Sequence, residues 1–201
     1  MATKGEQTKQ RILETAATLF WKHSYHGIRV DQIVAEAGVN KASFYQYFKS
    51  KEQIAEVGIQ YMYESTLSYV FEGSFREFSH PIDRLESIFK KIYTTHLRIK
   101  KTDGRCPGCP FVNMGNELAT DNEDIRKTVV KIFESFHEYH RKIYADAAAK
   151  GLAQAEWDEA VVGRQIQGVV NGAMTSSKIR NRPKDILDGM DTVKRLLGMA
   201  I

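Results

Sequence analysis

Cys106 and Cys109 are the only two cysteines in the 201 residues, and they stand in the run Gly104-Arg105-Cys106-Pro107-Gly108-Cys109-Pro110. A Cys-x-x-Cys pair can ligate zinc, cycle between dithiol and disulfide, or offer one thiol to an electrophile. Zinc takes four ligands. No second cysteine pair exists, which leaves His96, His137 and His140 to complete a set, the last two lying on one helical face. A thioredoxin-type centre needs a strand-helix-strand setting, and no strand-like alternation runs far enough to supply one. For the third chemistry, Cys109 immediately precedes Pro110, a residue suited to the first position of a helix. The thiol is then expected at a helix N-terminus, where thiolate is favoured, with Arg105 adding to the effect. The plainer alternatives are an inert buried cysteine or a loop cap held by proline geometry. There is no Ser/His/Asp constellation, phosphate-binding glycine loop or carboxylate pair, so no catalytic residue, cofactor or metal is expected. A thiol redox or metal-dependent enzyme using Cys106 and Cys109 is the competing function.

A second group of residues has chemistry suited to DNA. After Val30-Asp31-Gln32-Ile33-Val34-Ala35-Glu36-Ala37-Gly38 comes Val39-Asn40-Lys41-Ala42-Ser43-Phe44-Tyr45-Gln46-Tyr47-Phe48. Phe44 and Phe48 are four apart and pack inward on a helix, leaving Lys41, Ala42, Ser43, Tyr45 and Gln46 outward. Gln46 can pair with an adenine edge, Ser43 with a base or a phosphate, and Ala42 can lie against a thymine methyl. Lys41, Tyr45 and Tyr47 suit phosphates, which fix register without specifying sequence. Lys51 adds a cation in the first turn of the next helix, beside amides that already favour an anion. Two short helices joined at Gly38 have the layout of a helix-turn-helix. An ordinary helical hairpin with solvated polar residues has the same pattern.

Those residues have to be held by helices. Four prolines and fourteen glycines punctuate long runs of helix-forming residues, and about nine helices are predicted, all-α. The first runs from Thr8, as N-cap, to His23. Short helices follow over Val30 to Ala37 and after Asn40, a good N-cap. Ser50-Lys51-Glu52-Gln53 has the spacing of a capping box and opens a fourth helix to about Val70, with a break at Gly73/Ser74. Longer helices are predicted over Ile82 to Lys100, Asn122 to Lys150, Asp158 to Ile179 and Pro183 to Met199, with a short one from Pro110.

Charge is unevenly spread. The net charge is +4. Residues 1–51 hold eight basic side chains (Lys4, Lys9, Arg11, Lys22, Arg29, Lys41, Lys49, Lys51) against four acids, Glu6, Glu14, Asp31 and Glu36, which accounts for all of the excess. That asymmetry points to a polyanion-binding head on a neutral body. No apolar run is long enough to span a membrane and the N-terminus has no secretory pattern, so a soluble, cytoplasmic protein without a membrane partner is expected.

From Tyr25 to Ile54, and above all over Ala37-Gly38-Val39-Asn40-Lys41-Ala42-Ser43-Phe44-Tyr45-Gln46-Tyr47-Phe48-Lys49-Ser50-Lys51-Glu52, the chain resembles the DNA-binding domain of TetR-family transcriptional regulators. Two positions depart from that pattern. Ile28-Arg29 stands where a hydroxyl pair commonly precedes the second helix, which makes Arg29 a phosphate contact in place of a hydroxyl, and Ala42 stands where glycine is frequent. The resemblance implies an N-terminal three-helix helix-turn-helix head, residues 1–50, and a larger helical body, residues 51–201, that binds a small effector and dimerises through its last two helices. It implies a homodimeric repressor released from a palindromic double-stranded operator by that effector. For the dimer, the segment Val161 to Met174 has small residues that permit close approach, and Ile186, Met190, Val193, Leu196 and Leu197 form an apolar stripe; packing within one subunit is the alternative. Gly-Cys-Pro followed by an asparagine and a glutamate also looks like a subgroup whose cysteine responds to electrophiles or oxidants. Candidate effector or sensing residues are Cys109, Cys106, Tyr93, His96, Phe111, Met114, Phe133, Phe136 and His137, on the helices that would surround the cysteine loop.

Overall fold

The computed structural model describes residues 3–199, and among them every regular element is a helix. In order these are α1 (Lys4–His23), α2 (Val30–Glu36), α3 (Lys41–Tyr47), α4 (Lys51–Thr66), a π-helical segment (Leu67–Glu72), α5 (Gly73–Glu77), α6 (Pro81–Asp103), α7 (Pro110–Leu118), α8 (Glu123–Ala149), α9 (Glu159–Ile179) and α10 (Asp185–Leu196). Because α4, the π-helical segment and α5 follow one another without a gap, the described residues form nine helical rods, as expected. The chain divides into two compact units. One comprises the chain up to Glu64 together with Pro110–Val129, and the other Ser65–Cys109 with the chain from Val130 onward.

The first unit is built on α1. Its start lies earlier than Thr8. Thr3 Oγ1 accepts from the Glu6 amide at 3.3 Å, while the Glu6 carboxylate accepts from the Thr3 amide at 2.7 Å, a reciprocal capping box. Thr8 is one turn inside, its hydroxyl donating to Lys4 O at 2.9 Å. The added turn is polar, so apolar periodicity could not reveal it. Ile12, Leu13, Ala16 and Phe20 face the core. The turn after α2 is made by Gly38 at φ +62°, a left-handed conformation that favours glycine. Asn40 Oδ1 accepts from the Ser43 amide at 2.8 Å and starts α3. At α4, Ser50 Oγ accepts from the Gln53 amide at 3.2 Å, and Gln53 Oε1 accepts from the Lys49 amide at 2.6 Å, one residue earlier than a strict capping box. The same unit contains α7, which docks on the end of α1. Asn113 Nδ2 donates to Trp21 O at 3.4 Å, and Glu117 accepts from the His26 amide at 3.0 Å.

In the second unit the expected break at Gly73/Ser74 does not occur. Gly73 is helical at φ −58°, ψ −44°. Ser74 Oγ bonds Val70 O at 2.5 Å and Ser87 Oγ of α6 at 2.8 Å, so its hydroxyl is satisfied inside the fold. The helix ends only at Phe78, just ahead of Pro81, which opens α6 at a position where its missing N–H costs nothing. Asp158 Oδ1 accepts from the Val161 amide at 2.9 Å and caps α9. Farther along α9, a Cβ on Gly163 would stand 2.7 Å from His137 O and 3.1 Å from the Arg141 amide, so α8 and α9 come within backbone contact there. Helix α10 packs on α9 and α6. Three residues of its expected dimer stripe, Ile186, Val193 and Leu197, are core of the subunit itself, and Met190 is half-buried. Leu196 is the one that remains outside, 61% exposed. No helix of the described residues is long and apolar enough to cross a membrane.

Candidate nucleic-acid interface and sensor site

Helix α3 separates its two faces cleanly. Phe44 and Phe48 are 0% and 2% exposed, their rings 5.8 Å apart. Lys41, Ala42, Tyr45 and Gln46 are exposed, and Ser43 and Tyr47 are half-buried. Tyr45 holds its ring edge-on to Phe44 at 5.2 Å, which orients it without burying it. An exposed glutamine beside an exposed alanine on a capped helix can present a bidentate amide to a base edge.

The flanking cations are less uniform than the sequence implied. Lys41 Nζ lies 2.8 Å from Asp31 of α2, and that hydrogen bond and charge raise its pKa. Both partners are well exposed, so a phosphate can compete for the ammonium. Arg29 is exposed at the start of α2, where the Gln32 side chain accepts from its amide at 2.8 Å, the half of a capping box that needs no hydroxyl, while the residue at the N-cap makes no side-chain cap bond to the first turn. Tyr47 turns towards α1, its hydroxyl 3.3 Å from where a Cβ on Gly5 would stand. Lys51 is drawn over the ring of Tyr25, 4.0 Å from the centroid, and burial pulls its pKa down. Tyr25 donates to Glu52 at 3.0 Å. Nothing in the spacing of these three residues marked that node, because it depends on the chain turning back between α1 and α2.

The cysteine loop is pinned by a residue that the sequence did not single out. Asn181, at φ +50° beyond α9, accepts from the Cys106 amide through Oδ1 at 3.0 Å and donates to Gly104 O at 3.0 Å, while Lys100 Nζ donates to Asn181 O at 2.7 Å. His96 reaches the same loop: its Nδ1 is 2.8 Å from Ile92 O and its Nε2 3.3 Å from Gly108 O. Burial lowers the pKa of His96, and as a neutral ring it donates to one of these carbonyls. Cys106 and Cys109 are 3% and 5% exposed and form no disulfide. Residues 106–109 make no turn, and Pro110 is the first residue of α7 as expected. Burial pushes the Cys106 thiol up, opposite to an activated thiolate. Arg105 is exposed.

The other candidate residues fall into separate groups. Phe136 is buried and stacks on Phe71 at 4.5 Å. Phe133 and His137 instead line an open cleft of about 530 Å³ between α8 and α9 with Val130, Arg141 and Arg164. His137 lines this cleft whereas His140 is fully buried, and among the described residues no three His, Cys, Asp or Glu side chains cluster to hold a metal. Tyr93 is half-buried on α6; Phe111 and Met114 are buried on α7 within the first unit.

Comparison with known proteins decides the family. A profile described as bacterial regulatory proteins, tetR family, matches residues 12–57, and the profile of the tetracyclin repressor-like C-terminal domain matches residues 81–192, more than half of the chain. The chain belongs to the TetR family. It is a DNA-binding transcriptional regulator of that type, and α2 and α3 are its helix-turn-helix. The uncharacterized HTH-type transcriptional regulator YxaF of Bacillus subtilis strain 168 is 27% identical over 92% of this chain and 91% of its own length. The HTH-type transcriptional repressor DhaR of Mycobacterium sp. strain GP1 is also 27% identical, over 92% of this chain and 89% of its own. The crystal structure of regulatory protein TetR from Rhodobacter sphaeroides superposes with a TM-score of 0.82 at 22% identity, covering 92% of this chain and 96% of that one. The TetR-type head matched by the first profile begins at Ile12 and ends at Val57, so it includes the capped start of α4 as well as α3.

Proposed function

We propose that this TetR-type regulator is a cytoplasmic homodimeric repressor whose residues 1–50 read a palindromic operator and whose residues 51–201 bind a small effector and dimerise. The exposed Ala42, Tyr45 and Gln46 on a helix anchored by Phe44 and Phe48 carry the reading. In it Gln46 and Ala42 meet base edges and Ser43 a base or phosphate. Lys41, Tyr45, Tyr47 and Arg29 hold the backbone, with Lys51 packed behind them on Tyr25. Two heads are needed because a seven-residue helix touches few bases, and a two-fold operator matches a two-fold protein.

A dimer face is available on α9. Val161, Gln165, Gly168, Gly172 and Ile179 recur along one exposed side, with Ile179 79% exposed and nothing within 4 Å of a Cβ on Gly168 or Gly172. Glutamate at both glycines fits the isolated subunit but places charge in a close helix crossing. Gly168→Glu with Gly172→Glu is expected to sediment as a folded monomer at micromolar concentration and to lose at least about tenfold in operator affinity. A dimer with unchanged affinity would move the interface elsewhere.

Thiol sensing at Cys109 is supported by position. Cys109 is joined to the first residue of α7, and α7 docks on α1 through Asn113 and Glu117. Addition of the thiolate to an electrophile at that point enlarges a buried side chain and displaces the start of α7, favouring an arrangement that no longer fits the operator. Cys109→Ser should keep operator affinity but not be released by N-ethylmaleimide in a gel-shift assay. Release equal to that of the wild-type protein leaves the cysteine a structural part of the loop.

A further inference from the structure

His140, midway along α8, is fully buried, and its Nδ1 has no hydrogen-bond partner. Its Nε2 lies 3.1 Å from Gln167 Oε1 on α9. Gln167 donates through Nε2 to Asn171 Oδ1 at 2.9 Å, which orients the amide so that its oxygen faces the imidazole. An amide oxygen only accepts, so His140 Nε2 carries the ring proton and Nδ1 is a bare lone pair. Burial lowers the pKa of His140 to about 4, and near neutral pH no second proton fills that position. Buried polar atoms are nearly always paired. This one is an acceptor facing an interior without a donor.

The surroundings narrow what would supply one. Phe71 meets the His140 ring edge-on at 5.6 Å, stacks on Phe136 at 4.5 Å with 12° between the planes, and lies 5.3 Å from Tyr139. Phe71 is carried by the π-helical segment Leu67–Glu72. Such segments are rare, occur mostly as single turns inserted within α-helices, and recur at functional sites. Relaxing this one towards α-helix turns Phe71 without ending the helix. The same rod continues backwards as α4, which is set on α1 by Gly58 against Ala17 and by Tyr61 Oη donating to Glu14 at 3.3 Å.

We propose that His140 Nδ1 is the anchor for the effector, and that the effector is a neutral aromatic molecule with a hydroxyl or N–H donor, a phenol in its simplest form, whose ring takes the place of Phe71 against Phe136. This rests on the reading of the chain as an effector-controlled repressor. A carboxylate would have to shed its hydration among phenyl rings and face a lone pair. A hydrocarbon of the same shape leaves Nδ1 as unpaired as before. The donor-bearing ring satisfies it and, by displacing Phe71, acts on the π-helical segment and so on the rod that includes α4.

The test uses the full-length protein with 4-propylphenol and its methyl ether, 4-propylanisole, as probes. Nitrogen NMR of histidine-labelled protein should show His140 Nδ1 as a non-bonded ring nitrogen without ligand and as a hydrogen-bond acceptor with the phenol. Calorimetry should give an affinity for the phenol about tenfold above that for the ether. The ratio should vanish in His140→Phe, which keeps an aromatic ring but has no acceptor. The comparison of phenol with ether in wild-type protein stands even if that variant folds poorly. An Nδ1 already bonded without ligand, as by a buried water only, overturns the proposal. So do equal binding of phenol and ether, no binding of the phenol, and a ratio that survives in His140→Phe. Operator affinity measured in the same samples separates the two readings: a phenol bound at Nδ1 that leaves DNA binding unchanged upholds the site and refutes its role as the effector site.

Discussion

Replacing Tyr45 and Gln46 together by alanine should lower operator affinity by at least about a hundredfold and leave the melting temperature unchanged. A good amide-to-base pairing contributes about 1–3 kcal/mol of discrimination, and the loss of a tyrosine contact to the backbone adds to it, with each 1.4 kcal/mol a factor of ten. Tyr45 is 50% exposed and Gln46 is exposed, so truncating them opens no cavity. Surface changes of that kind move stability by no more than about 0.5 kcal/mol. Fluorescence anisotropy at one fixed salt concentration, with circular dichroism melts of the same samples, checks both halves. Gln46→Ala alone should relax preference at one base pair, whereas Tyr45→Ala alone should weaken all sequences alike. A double variant that binds its operator as tightly as the wild-type protein would remove α3 from the interface.

Phe44→Ala should have the opposite profile, losing DNA binding because the head no longer holds its shape. Phe44 is wholly buried and its ring lies against Phe48 and Tyr45. Truncating such a side chain costs about 3–5 kcal/mol, which is most of what a small helical unit has to spare. Hydrogen exchange should show amides of α2 and α3 losing protection while those of α8 and α9 keep theirs. Unchanged protection over residues 30–48 would contradict the role given to that ring.

The parts of the fold that were legible in the sequence are those in which one local pattern and the tertiary contacts agree. Asn40 caps α3 as its type and position predicted, and Asp158, where a helix was expected to begin, caps α9. Phe44 and Phe48 turn inward because four residues of spacing admit no other face. Thr3 and Glu6 also had the spacing of a capping box, but the turn they open is polar and its periodicity is silent. Gly73-Ser74 has the composition of a break, yet Ser87 and Val70 offer the serine partners within the helix pair, and the π-helical stretch before it has no sequence signature. The candidate sensor residues were harder still. Phe133 and Phe136 lie only about 60° apart around α8, so periodicity places them on one broad face, and only packing sends one to the cleft and the other to Phe71. His140 was visible as a histidine sharing a helical face with His137. Its unpaired nitrogen depends on Gln167 and Asn171, twenty-seven residues and more away in sequence. For α10, an apolar stripe looks the same whether it meets its own subunit or a second copy, and Ile186, Val193 and Leu197 meet their own.

The account turns on sequence-specific DNA reading by α3. Footprinting of the purified full-length protein across genomic fragments, including the region upstream of its own gene, tests that claim most directly. The expected result is a small number of protected segments sharing a two-fold symmetric sequence, with half-sites a helical turn or a multiple of one apart. Their occupancy should fall steeply as salt rises. The absence of any sequence-specific protection at low salt would contradict it.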